Sequence, residues 1–424
     1  MSPKSRARKR KAGGRARPGS GGQRPGSGAR TGDGVTTRVR HARPSVGTYL
    51  ATALADVSEL VRQRSALQVE LWASVATSAF LPEKLTQGFA AHLDDAVGFV
   101  DRAVGEGGTA AHVMLAALAV VGAPAELREA AAEGARMLAQ AAPLPQWAAR
   151  MGQASCAGAW FGPADPYRDQ DLAVLSFGYE GDSEPHVVAV LIDRINGGFA
   201  VDAFTDDPSF VQAWARHTDA GRLSPVAPAV AAGEILDAFD LTDRVLGVPV
   251  TESLVDERSF VLARTRVVPD PVQPEIADPA SDQACEALAS RFLAAPHAEG
   301  LLEVAGAREA LGQLLDFVGG WPEDRLLWWS PARASIFLTH WLPRKAVMSG
   351  EGIAATPDVV RAWTRFVTAG LAEKQLAAIF DQIDRDAPGL AARMADQSQA
   401  GLGKQIALGR EPDLSYLLPG DHRS

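Results

Sequence analysis

A chain of 424 residues, 46% of them apolar and 22% charged, is long enough for two domains with separate cores and has the composition of a soluble globular protein. Its two cysteines, Cys156 and Cys285, stand far apart with no second Cys at ligand spacing, which excludes a disulfide framework and a cysteine-built zinc site and fits a reducing, cytoplasmic setting. The net charge of −9 hides a split: residues 1–43 carry 13 Lys or Arg against Asp33 alone, whereas the remainder carries 29 basic and 50 acidic residues.

Residues 1–45 contain Gly, Ser, Pro, Arg and Lys with almost no large apolar side chains, so the sequence predicts a disordered basic arm. From Val46 the texture changes. Leu50, Leu54, Val57 and Val61 recur at three- and four-residue steps, which predicts a helix continuing toward Trp72 and Val75. Pro82 opens a second predicted helix with Leu85, Phe89, Leu93 and Val97, ending at the Gly-rich break 105–108. Helices over 110–121 and 124–142 follow. The apolar run 113–123 is about half the length a membrane-spanning helix needs and reads as a buried core helix. The basic N-terminus also lacks the apolar segment of a secretory signal, so a cytoplasmic protein without a membrane partner is expected.

After Pro166 the apolar runs shorten to strand length, over 172–179, 187–193 and 199–204, the last preceded by the hairpin signal Asn196–Gly197–Gly198. These predict an antiparallel meander spanning about 171–205. A helix from Asp207–Pro208 through Trp214 and a further strand over 258–268 complete an α+β domain, 46–268. Residues 269–280 hold four prolines and little to pack, which marks a linker. The remainder, 281–424, reads as a helical domain, with Ser330–Pro331 and Thr356–Pro357 as helix starts and fraying after Pro412. The predicted fold class is therefore α+β: an N-terminal helical layer on a small antiparallel β-meander, followed by a mostly helical, Trp-rich domain.

The basic side chains of the arm are densest at Lys4, Arg6, Arg8, Lys9, Arg10 and Lys11, followed by Arg15 and Arg17. Such a segment binds nucleic acid by neutralising phosphates and releasing counterions, which requires no fixed geometry. No aromatic residue or helical register accompanies it, so base-specific readout is not expected. The chain's 35 Arg against 7 Lys accompany heavy use of Ala, Gly and Pro, a codon-composition pattern, so Arg enrichment alone does not point to phosphate. It is the clustering that does. The body around the meander repels phosphate: between Cys156 and Phe210 there are ten acids and two bases.

The sharpest catalytic constellation is Cys156, His186 and Asp202. The stretch Gln153-Ala-Ser-Cys156-Ala-Gly-Ala-Trp160 resembles the glutamine-to-cysteine region of papain-like proteases, and His186 at a strand start with Asp202 sixteen residues later resembles their His–Asp pair. The resemblance implies a thiol hydrolase using Cys156, His186 and Asp202. Papain-like enzymes place the oxyanion Gln six residues before the nucleophile. Six residues before Cys156 stands Arg150, and six after Gln153 stands Ala159. A structural Cys beside a strand-edge His is the reading that suits the residues better.

Asp193, Asp202, Asp206 and Asp207 fit no EF-hand spacing, and Asp206–Asp207–Pro208 reads as a helix cap. No metal ligand set or cofactor motif is expected. Five of the nine Trp lie at 321, 328, 329, 341 and 363 and read as the core of the helical domain, with one of the adjacent pair Trp328–Trp329 free to remain exposed. The stretches 186–207 and 328–345 are similar to an uncharacterised protein family of high-GC bacteria, a resemblance that implies element assignments and no activity. The sequence thus favours a non-enzymatic cytoplasmic binding or scaffold protein with sequence-independent DNA or RNA contact through its arm. The alternatives are the thiol hydrolase and a protein-interaction module whose tail is incidental.

Overall fold

The computed structural model describes residues 46–78, 90–217, 221–245 and 247–409. The arm, the start of the second predicted helix and the C-terminus beyond 409 lie outside these residues. The described residues belong to one compact unit, and no helix among them is long and apolar enough to cross a membrane.

The helical layer comprises α1 (Val46–Gln63), α2 (Ala66–Ser78), α3 (Ala90–Glu106), α4 (Gly108–Val121) and α5 (Ala125–Leu138). The single helix expected through Trp72 is two. Arg64 adopts a left-handed φ of 58°, and the Ser65 hydroxyl accepts the Gln68 N–H at 3.0 Å, opening a new helix. Helix α4 is buried on nearly every face: Val113, Met114, Leu115, Leu118 and Val121 are fully enclosed, as expected of a core helix.

The sheet has five antiparallel strands in the order β4-β3-β2-β1-β5. They are β1 (Ser155–Pro163), β2 (Gln170–Tyr179), β3 (Ser183–Asp193), β4 (Phe199–Asp206) and the two-residue β5 (Ser224–Pro225). The three predicted strands correspond to β2, β3 and β4. Strand β1 escapes sequence reading because its Cys-Ala-Gly-Ala run shows no apolar alternation. One sheet face, with Leu175, Phe177, Val188, Val190 and Ile192, packs on the helical layer. On the other, Leu172, Val174, Val187 and Ala189 pack with Trp160, Phe204 and α6 (Phe210–Trp214).

Helices α7 (Pro228–Arg244) and α8 (Glu252–Thr265) close the first core. The strand predicted over 258–268 is thereby corrected. Thr251 caps α8 by accepting the Leu254 N–H at 3.1 Å. Phe260, Val261, Arg264 and Thr265 are all buried, at spacings that fit one side of a helix. The apolar run 260–262 imitates a strand in isolation. Residues 269–280 contain no helix or strand.

A second core lies beyond them, built by α9 (Asp282–Leu293), α10 (Ala307–Gly319), α11 (Pro331–Ile336), α12 (Leu342–Lys345), α13 (Gly350–Val367), α14 (Glu373–Asp386) and α15 (Leu390–Ala395), with α16 (Leu402–Ala407) tied to α12 at its edge. A π-helical turn, Phe337–Trp341, joins α11 to α12 in one continuous rod. Ser330 caps α11 as expected, accepting the Arg333 N–H. Thr356–Pro357 does not start a helix. Ser349 caps α13 and Pro357 lies inside it, with the Thr356 hydroxyl turned back onto the Gly352 carbonyl. Trp328 and Trp329 precede α11 rather than lying on a helix, and both are buried.

Candidate functional site

The strand register decides the Cys156–His186–Asp202 reading. Cys156 pairs with Phe177 and Phe177 with His186, so Cys156 and His186 are two strands apart, roughly 10 Å at ordinary strand spacing, with Phe177 between them. Asp202 pairs with Leu191, five residues along β3 from His186, and its carboxylate accepts from the Thr251 and Ser253 hydroxyls. The structure does not bring the three together. Burial pushes the Cys156 thiol pKa up, and its sulfur lies 3.6 Å from the Gly158 carbonyl.

His186 belongs instead to a buried network that the sequence does not reveal. Glu70 of α2, Tyr179 of β2 and Arg264 of α8 are enclosed with it behind the sheet. The Arg264 Nη2 donates to Glu70 Oε2 and, at 2.7 Å, to the Tyr179 hydroxyl. The Tyr179 O–H in turn donates to Glu70 Oε2 at 2.5 Å. The other Glu70 oxygen accepts the Gly152 N–H at 2.6 Å. His186 donates from Nδ1 to the Glu184 carbonyl at 2.8 Å, which leaves Nε2 to accept the Arg264 Nε–H at 2.9 Å. Burial, then the Arg264 charge, push the His186 pKa down to about 4, so the ring is neutral at physiological pH. Burial and the Glu70 charge raise that of Tyr179. Stacking of Arg264 over Phe260, 4.2 Å to the ring centroid, completes the enclosure. Both ring nitrogens of His186 are engaged, so it is not available as a base for Cys156.

A second charged cluster lies where the β1–β2 loop meets the second core. Asp165 stiffens this loop by accepting the Tyr167 and Gln170 N–H groups, each at 2.7 Å. The loop then presents Tyr167, whose hydroxyl donates to the Gln375 carbonyl at 2.9 Å, and Asp169, which accepts the Trp328 indole N–H at 3.0 Å. Asp171 binds Arg194 at 2.7 Å and faces Arg325 at 3.7 Å. Beside Asp169 stands Arg333, 1% exposed, with ring centroids of Trp328, Phe317 and Trp321 at 4.3, 4.8 and 4.8 Å from its guanidinium carbon. Its Nε and Nη2 have no hydrogen-bond partner. Burial and neighbouring Asp165 push the Asp169 pKa up to about 7, against the pull of Ser330, Trp328 and Arg333; burial pushes that of Arg333 down to about 9. The Asp169–Trp328 hydrogen bond thus joins the sheet's loop to the segment before α11, with Asp169 partly protonated near neutrality and Arg333 beside it still charged.

The remaining acids singled out in the sequence are local structure formers. Asp193 accepts the Ile195 and Asn196 N–H groups at the hairpin, and Asp207 accepts the Ser209 N–H ahead of α6. Among the described residues no group of three His, Cys, Asp or Glu side chains is placed to hold a metal. Lys4, Arg6, Arg8, Lys9, Arg10, Lys11, Arg15 and Arg17 lie outside the described residues. Sequence signals for the two clusters are faint: the Ser330–Pro331 cap and the Trp pair flag the place of Arg333, whereas nothing local distinguishes Glu70 or Arg264 from surface charges. No protein-family model matches the chain, and no curated protein or solved structure matches it either.

Proposed function

We propose that this chain is a cytoplasmic binding or scaffold protein that contacts DNA or RNA through its N-terminal arm, independently of base sequence. The observation that carries this reading is the concentration of 13 basic residues against one acid within residues 1–43, on a body of opposite charge. The geometry around Cys156 favours binding over thiol hydrolysis, because burial holds the thiol protonated and His186 is committed to Glu184 and Arg264. The residues proposed to meet phosphate are Lys4, Arg6, Arg8, Lys9, Arg10, Lys11, Arg15 and Arg17.

The test is fluorescence anisotropy with a labelled generic duplex, comparing the full chain with a variant carrying Gln at all eight positions. The variant should lose most of its affinity, and duplexes of unrelated sequence should bind the wild type equally well. Equal binding by wild type and variant would end the proposal.

A further inference from the structure

The second core carries an open cleft of about 730 Å³, ample for a nucleotide-sized ligand. Its walls are the end of the α11–α12 rod, with Thr339, His340 and Arg344, and the segment from α15 to α16, with Arg393, Ser398 and Gln399. Two Arg and one His line it, and no carboxylate is among its described lining residues. This is unusual on a body with 50 acidic residues against 29 basic. A second concavity, between α3 and α5, has Asp101 and Glu133 in its lining.

Three local features suit the cleft to an anion. First, the exposed carbonyls at a helix C-terminus ordinarily repel negative charge. Here the Pro343 carbonyl accepts from Lys404 Nζ at 2.8 Å and the Arg344 carbonyl from the Gly401 N–H at 2.9 Å. The Gly401–Arg344 bond closes α16 against the rod. A Cβ at Gly401 would meet the Arg344 carbonyl at 3.1 Å, so the close approach suits glycine. Second, the Asp396 carboxylate is spent on the Ser398 N–H and hydroxyl and the Gln399 amide, at 3.0, 2.8 and 3.1 Å. Third, Arg393 lines the cleft with its guanidinium held in place by the Nη2 bond to the Asp386 carbonyl.

We propose that this cleft binds a phosphate group through Arg344 and Arg393. The proposal stands on the cleft alone and is independent of the arm. Guanidinium groups suit phosphate because their planar donors match its oxygens. The phosphate belongs either to a small phosphorylated molecule or to a nucleic-acid backbone, and the same experiment separates these sources.

Titration calorimetry on the full chain would use pyrophosphate, ATP and a short single-stranded oligonucleotide. The proteins would be wild type, Arg344→Gln, Arg393→Gln and the arm variant with Gln at the eight named positions. Arg344 is exposed, so its variant tests binding even if Arg393→Gln disturbs the fold. Loss of one charge-assisted contact should weaken pyrophosphate or ATP binding about tenfold or more in the cleft variants and leave it unchanged in the arm variant. Oligonucleotide binding that survives in the arm variant and falls in Arg344→Gln would assign the site to backbone phosphate. The proposal is overturned if none of the three ligands binds outside the arm, or if Arg344→Gln binds them as tightly as wild type.

Discussion

Two groups, buried His186 and half-buried Asp169, respond to pH in opposite senses. An unfolded His titrates near 6.5 and His186 in the fold at about 4, so between these values the unfolded chain holds the proton more readily. Stability contributed by neutral His186 is intact above pH 6.5 and falls with acidification, by on the order of 3 kcal/mol once the pH is below 4. Asp169 behaves in reverse. Its folded pKa of about 7 exceeds the ordinary 3.8, so the fold holds the proton in that window and stability falls as pH rises through it. Urea midpoints measured from pH 4 to 7 should therefore lose acid sensitivity in His186→Gln, which keeps an acceptor for Arg264. Asp169→Asn should become more acid-sensitive than wild type. If both variants keep the wild-type profile, the two burial-driven shifts are wrong.

At the level of elements, the Glu70–Arg264 pair ties α2 to α8, and with Tyr179 and His186 it ties both to the sheet. Glu70→Gln leaves the Arg264 guanidinium buried without its counter-charge and should cost about 3–5 kcal/mol. Removing the α8 cap with Thr251→Ala should cost only about 1 kcal/mol. Equal losses in chemical denaturation would contradict this ranking. The same elements show how much of the fold is legible. Strands β2, β3 and β4 are readable because long apolar runs end at turn residues such as Asn196–Gly198. Helix α8 reads wrongly as a strand because the same Phe-Val-Leu run serves either element, and only its packing into the first core decides. Glu70 and Arg264 are 194 residues apart in the chain, and no local pattern announces a pair made by tertiary packing.

For the molecule as a whole, charge is divided far more sharply than the two cores are. The arm concentrates 13 basic residues, while residues 44–280 hold 15 basic against 32 acidic and residues 281–424 hold 14 against 18. This gradient is fully legible in the sequence. The cleft between the α11–α12 rod and α16 is not, because Arg344 and Arg393 come from elements 49 residues apart. A polyanion should accordingly be held by the arm and repelled by the acidic surface around the meander.

The salt dependence of duplex affinity tests that claim most directly. If the eight named side chains of the arm meet phosphates, a plot of log affinity against log salt should fall with a slope of about −7, and the eight-Gln variant, which keeps five Arg in the arm, should show a much shallower one. A shallow slope in the wild type, or the same slope in both proteins, would contradict the assignment of nucleic-acid contact to the arm.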